Sequence, residues 1–195
     1  MKKLSTYLFL ILFSFQAPSW TDDIRDFEIE GISIGDSALD YFKETEIKKN
    51  IRENQYLGSD GEFFDAAFHN YPFFTTYDSL QIVFKKNDKK YIIHSLSGVI
   101  YFYDKFDNCL EKQKEIFEEL SNLFKNSKIK KLKKTKHPSD ELGNTWIHPI
   151  YFIFKSFDEA ELTCIDASRE SKKDDYLLIS IGSKEFVKWL VEYYS

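Results

Sequence analysis

The chain has 195 residues, with 27 basic and 32 acidic side chains and a formal net charge of −5. That balance argues against a nucleic-acid-binding domain, whose surface must neutralise phosphates with an excess of cations. Aromatic residues at 17%, only four Pro and seven Gly, and no low-complexity segment describe one aromatic-rich core without room for a long flexible linker.

Residues 1–19 read as a secretory signal peptide: Lys2 and Lys3 precede an apolar run over 4–15, and Ala17-Pro18-Ser19 supplies a small-x-small cleavage site. The run is well short of the ~20 apolar residues of a spanning helix. Cleavage before Trp20 removes two lysines and no acid, leaving 25 basic and 32 acidic residues. There is no Cys at the cleavage site to be lipidated and no later transmembrane candidate, so a periplasmic or secreted protein is expected. Residues 20–195 form the single α+β domain. Lys greatly outnumbers Arg, and Phe, Ile, Tyr and Asn are abundant while Ala is scarce. This looks like the codon bias of an AT-rich bacterial genome, so the lysine count alone is no functional clue.

Along the mature chain, 27–34 predicts a strand interrupted near Gly31, and Ser37 with Asp40 three residues on predicts a capping box opening a short helix over 38–43. Residues 48–77 read mostly as loop, with a turn at 58–61 and one helical turn over 62–69. From Ser79 the alternation of Leu80, Ile82 and Phe84, the Asn87-Asp88 turn and the return over 91–96 predict a β-hairpin, and 99–103 continues it as a bent or third strand. Asn108 and Glu111 cap the best helix, in which Leu110, Gln113, Phe117, Leu120 and Phe124 recur at helical spacing. A lysine-rich connection leads to three strands over 146–155, 160–167 and 176–181; Pro149, which cannot donate to a ladder, places the first of these at an edge or leaves its beginning unpaired. Ser183 then opens a C-terminal helix. The expected architecture is an antiparallel sheet of five or six strands with the Cys109 helix and the C-terminal helix packed on it.

Gly35-Asp36-Ser37 after a β-branched run has the letters of a GDSL-type esterase nucleophile block. That chemistry needs a base for the serine, which in those enzymes follows an Asp in an Asp-x-x-His block, and oxyanion donors from a Gly and an Asn of intermediate blocks. None of the four histidines, His69, His94, His137 and His148, has an Asp three residues before it. The same strand, Gly, Ser, helix grammar recurs at Ile179-Ser180-Ile181-Gly182-Ser183, so Ser37 is read as a cap and no catalytic residue is assigned. Replacing Ser37 by Asp should then be nearly neutral.

Cys109 at the start of the long helix and Cys164 in the penultimate strand allow a single intramolecular pairing, and export favours the disulfide. It would clamp helix to sheet. No two Cys or His residues stand at zinc-ligand spacing, so no metal or other cofactor is expected. Lys128, Lys130, Lys131, Lys133, Lys134 and Lys136 form the one strong charge asymmetry. They read first as a solvated connection and secondly as a weak contact for an anionic envelope surface, because Ile129 and Leu132 are too few for a membrane-binding face. The aromatic residues over 63–74 read as core, or else as the lining of a small-molecule cavity.

The stretch DDIRDFEIEGISIGDSALDYF over 22–42, together with the Cys109 helix and the Cys164 strand, resembles small exported proteins of unknown function from planktonic alphaproteobacteria. The resemblance implies export and no activity. More remotely, the order of glycines, Ser and short helix before strands is similar to small periplasmic domains of outer-membrane assembly lipoproteins, though the lipidated Cys is missing. The function expected is non-catalytic binding or an envelope-accessory role. The alternatives are small-molecule binding in an aromatic cavity and a hydrolase whose site no motif reveals.

Overall fold

The computed structural model describes residues 23–52, 61–103, 105–137, 140, 144–168 and 174–193. The expected signal peptide and its expected cleavage site lie outside these residues, as do parts of the turns expected at 58–61 and 168–175. The elements in chain order are α1 (Glu44–Asn50), β1 (Phe63–His69), β2 (Ser79–Lys85), β3 (Ile93–Tyr101), α2 (Phe106–Leu123), β4 (Lys128–Lys131), β5 (Thr135–Lys136), β6 (Trp146–Ile153), β7 (Glu159–Asp166), β8 (Tyr176–Gly182) and α3 (Lys184–Tyr193). All eight strands join one antiparallel sheet in the order β1-β2-β3-β8-β7-β6-β4, with β5 also on β6.

The architecture is thus α+β with helices on an antiparallel sheet, and it holds more strands than the five or six expected. One addition is β1, expected as a helical turn. Its Phe63, Ala66 and Phe68 are fully buried, on both faces of the strand, so burial decides a segment whose periodicity is ambiguous. The other additions, β4 and β5, come from the lysine run, which is sheet edge and not mere connection. Residues 93–101 form one strand, and Gly98 stands within it because the Tyr77 ring lies where a Cβ would be, 2.4 Å from the nearest ring carbon.

Near the N-terminus the expected strand is a tight reversal. Glu30 (φ 54°) and Gly31 (φ 76°) both take left-handed backbone, and Ile29 and Ile32 exchange two backbone hydrogen bonds around them, the geometry of a two-residue hairpin turn. Glu30 then accepts hydrogen bonds from the backbone amides of Thr75, Thr76 and Tyr77 and from the Thr75 hydroxyl. The helix expected over 38–43 is a single 3-10 turn, Ala38–Asp40. Ser37 caps it by accepting from the Leu39 amide at 3.2 Å, and it also donates to the Lys90 carbonyl at 2.6 Å. The carboxylate half of a capping box belongs to the next helix, where Glu46 accepts from the Lys43 amide at 2.9 Å.

The strand pleat sorts side chains onto two faces. The first face carries the main core: Phe68, Leu80, Ile82, Leu96, Leu162 and Ile179 lie under α1, the N-terminal segment and α2. Helix α2 connects β3 in mid-sheet to β4 at the far edge. Eighteen residues rise ~27 Å, enough to cross the four strand spacings of ~19 Å between them. On the way the Cys109–Cys164 disulfide ties α2 to β7, with Cα atoms 6.0 Å apart, and buried Gln113 donates to the carbonyls of His148 and Leu162. No described helix is long and apolar enough to cross a membrane.

Pro149 marks neither an edge nor an unpaired beginning, since Trp146 and Ile147 pair with β5 on one side and with β7 on the other. Strand β6 is interior, with β7 on one side and β4 and β5 on the other. The Pro149 carbonyl accepts from the Leu132 amide at 3.1 Å, so its donorless nitrogen points the same way, at the break between β4 and β5.

Candidate functional site

The second face of the sheet has one described helix on it, α3. Ser183 caps α3, its Oγ accepting from the Phe186 amide at 3.3 Å, and Phe186 and Trp189 meet Phe63 edge to face at 5.4 and 5.2 Å. A bulge in β3 opposite Val83 and Phe84 sets His94 beside this helix. Ser183 Oγ lies 3.4 Å and Glu185 Oε2 3.5 Å from His94 Nδ1, which superficially spells a Ser-His-Glu arrangement. Both contacts fall on the same ring nitrogen, so His94 cannot take a proton from Ser183 on one nitrogen while Glu185 steadies the other, as a relay requires. Glu185 is engaged with Lys85 at 2.5 Å, which holds its carboxyl below the usual range, and burial lowers the pKa of His94. The cluster anchors α3.

Farther from α3 the strand registers align a transverse row: Ala67, Gln81, Ser97, Ser180, Glu161, Tyr151 and Lys130 are successive cross-strand partners from β1 to β4. Ser97 Oγ donates to Ser180 Oγ at 2.8 Å, and Thr163 Oγ1 donates to Glu161 Oε1 at 2.5 Å. Glu159, two residues before Glu161, shares this face. Burial pushes the Glu159 carboxyl up to about 7, with the charge of Glu161 adding and Lys130 opposing. Burial also raises Glu161, against the lowering bond from Thr163, and raises the Tyr151 phenol beside both carboxyls. Near neutral pH a carboxyl with such a pKa donates as well as accepts hydrogen bonds. The next row is mostly apolar, pairing Val99, Leu178, Thr163 and Pro149. Beside it the buried Ser79 hydroxyl has no hydrogen-bond partner among the described residues, although a buried hydroxyl ordinarily finds one. Val99, Thr163 and Ser79 are buried, so the accessible part of this face is Gln81, Ser180, Glu161 and Tyr151 with Leu178 beside them. It presents no activated nucleophile.

Against protein-family models, curated proteins and solved structures, the chain finds no match.

Apart from Lys130, which ends the row on β4, the residues singled out by sequence fall elsewhere. Ser37 is a cap on the far side of the β2–β3 turn. Cys109 and Cys164 are joined beneath α2 on the first face. The aromatic segment is divided: Phe63 lies under α3, whereas Phe68, Tyr71, Phe73 and Phe74 pack on one another and on Phe42, which stacks on Phe68 at 3.9 Å. Among the described residues no three His, Cys, Asp or Glu are grouped to hold a metal ion. Sequence reasoning did not single out Glu159, Glu161, Tyr151, Ser97 or Ser180. A signal existed in Glu159-Ala160-Glu161-Leu162-Thr163-Cys164, whose strict alternation puts two acids and a hydroxyl on one strand face. What it lacked was the register that sets Tyr151 and Ser180 beside Glu161.

Proposed function

We propose that this chain is exported to the periplasm or beyond and acts there as a non-catalytic binding domain, with the second face of the sheet as its contact surface. The observation that carries the reading is the transverse row Gln81, Ser97, Ser180, Glu161 and Tyr151, hydrogen-bonding groups that are partly exposed except for the buried Ser97, with partly exposed Leu178 in the adjacent row. A sheet face built only for solvent would carry charged groups that stay ionised. Carboxyls held toward their neutral form suit instead a small molecule with uncharged polar groups and an apolar body. The apolar run over residues 4–15 and the disulfide support export, since such bonds persist in oxidising compartments.

Titrating a fragment library into isotope-labelled mature protein tests this by amide shifts. Hits should cluster at Ser97, Ser180, Glu161 and Leu178, and Ser97→Val with Ser180→Val should weaken them about tenfold or more. Hits confined to the loop around Phe73 would move the site to the aromatic segment. The paired raised carboxyls favour one second reading, general acid–base catalysis at the same face. A substrate turned over by the wild type, and bound but not turned over by Glu161→Gln, would establish it.

A further inference from the structure

The two ends of the sheet are treated differently. Beyond β1 the edge is occupied: Ile51 bridges to Ala66, the Arg52 amide donates to the Asp65 carbonyl at 3.0 Å, and the Arg52 guanidinium pairs with the Asp65 carboxylate. At the other end nothing among the described residues lies outside β4. The Leu132 amide points inward, at Pro149, so strand alternation turns those of Lys128 and Lys130 inward as well and leaves the amides and carbonyls of Ile129 and Lys131 pointing outward. Ile129 and Leu132 are 40% and 41% exposed.

Lysines on an edge strand usually block pairing by standing across it. Here three of the six are drawn off the edge onto the first face. Lys131 Nζ sits 3.5 Å from the centre of the Phe117 ring, and Lys134 is bonded to Asp166 at 3.0 Å and lies 5.3 Å from the Trp146 ring. Lys136 lies 5.8 Å from the same ring. Lys128 and Lys130 project from the second face of β4. The backbone edge is therefore accessible, while the charges flanking it repel a second copy of the same edge and attract acid.

We propose that β4 is a docking edge for an extended acidic peptide segment of a partner protein, which adds to the sheet as a further antiparallel or parallel strand. Backbone bonds to Ile129 and Lys131 supply the pairing, and acidic side chains at alternate positions of the partner sit beside Lys128 and Lys130 as cross-strand ion pairs. The lysines thereby serve two ends: they exclude self-association, which would set lysine against lysine, and they select the partner by charge. Lys130 ends the transverse row of the surface proposed above, but docking rests on the outward backbone of Ile129 and Lys131 and not on Ser97, Ser180 or Glu161, so either can fail without the other.

The probes are a capped heptapeptide Thr-Glu-Val-Glu-Val-Glu-Thr, the same peptide with lysines replacing its glutamates, and the acidic peptide N-methylated at alternate amides. Hydrogen exchange and amide shifts of the labelled mature protein are the readout. The acidic peptide should slow exchange at Ile129 and Lys131, weaken with added salt, and lose about tenfold or more in affinity on N-methylation. The double variant Lys128→Glu, Lys130→Glu should reverse the preference to the basic peptide. Ile129→Pro removes an outward donor that the sheet does not use, so the fold should persist while peptide binding drops. Unprotected Ile129 and Lys131 amides at saturating acidic peptide would overturn the proposal, as would undiminished binding of the N-methylated peptide. Binding of phosphatidylglycerol vesicles in preference to the peptide, with both amides unprotected, would overturn it in favour of a charge-only membrane contact.

Discussion

Single residues show how far local chemistry depends on its surroundings. Ser37 is the cap that its neighbours suggest, yet its hydroxyl also donates to Lys90 across the fold. Ser37→Asp is therefore not the neutral change the sequence implies, because it sets a carboxylate against that carbonyl. Both Ser37→Asp and Ser37→Ala should lower the urea midpoint, with the alanine variant losing about 1 kcal/mol or slightly more of unfolding free energy. At Gly98 the Tyr77 ring fills the space of a side chain. Gly98→Ala should cost about 1–3 kcal/mol, and much of that cost should vanish in a Tyr77→Ala background, a coupling that a double-mutant cycle measures. Glu159 carries the pH dependence. Its folded pKa of about 7 lies above the ordinary 4.5, so the folded state holds the proton more tightly. This contribution to stability is complete below about pH 4.5 and is lost as pH rises through 7. Glu159→Gln should flatten unfolding midpoints across that window, leaving the wild type the steeper of the two.

Elements follow local signals where one face is buried and depart from them where both faces or neither is. Helix α2 and the β2–β3 hairpin have clean periodicities, and both form near their expected places. Strand β1 buries Phe63 on one face and Phe68 on the other, so it has no alternation to read. Strands β4 and β5 have the opposite problem, since exposed lysines carry little strand propensity and the ladder of β6 orders them. The gap between them follows from Pro149, whose missing amide removes the bond that would have joined them. Helix α3 rests on Phe186 and Trp189 with no fully buried residue. It depends strongly on its cap, and Ser183→Ala should cost about 1 kcal/mol, with hydrogen exchange in α3 accelerating before that in β8.

In the whole molecule a three-stranded meander and the strands after α2 become one sheet by pairing β3 with β8. The Cys109–Cys164 bond holds the crossover helix to the second part. It joins residues 55 apart in sequence, which the chain-entropy model values at about 4 kcal/mol. The double variant Cys109→Ser, Cys164→Ser should lose a few kcal/mol in equilibrium unfolding. Peptide mapping without reductant should recover one cross-linked species containing both residues.

The sequence by itself determined the fold class, the long amphipathic helix, the hairpin and the cysteine pair, because each rests on spacing within a short window or, for the cysteines, on there being a single partner. Tertiary structure alone decided that residues 63–69 are strand, that the lysines form an edge, and that Gln81, Ser97, Ser180, Glu161 and Tyr151 stand in a row. Those residues come from five strands, and their proximity is set by cross-strand register. Register arises from the simultaneous burial of the first faces of β1, β2, β3, β6, β7 and β8, which no local window contains.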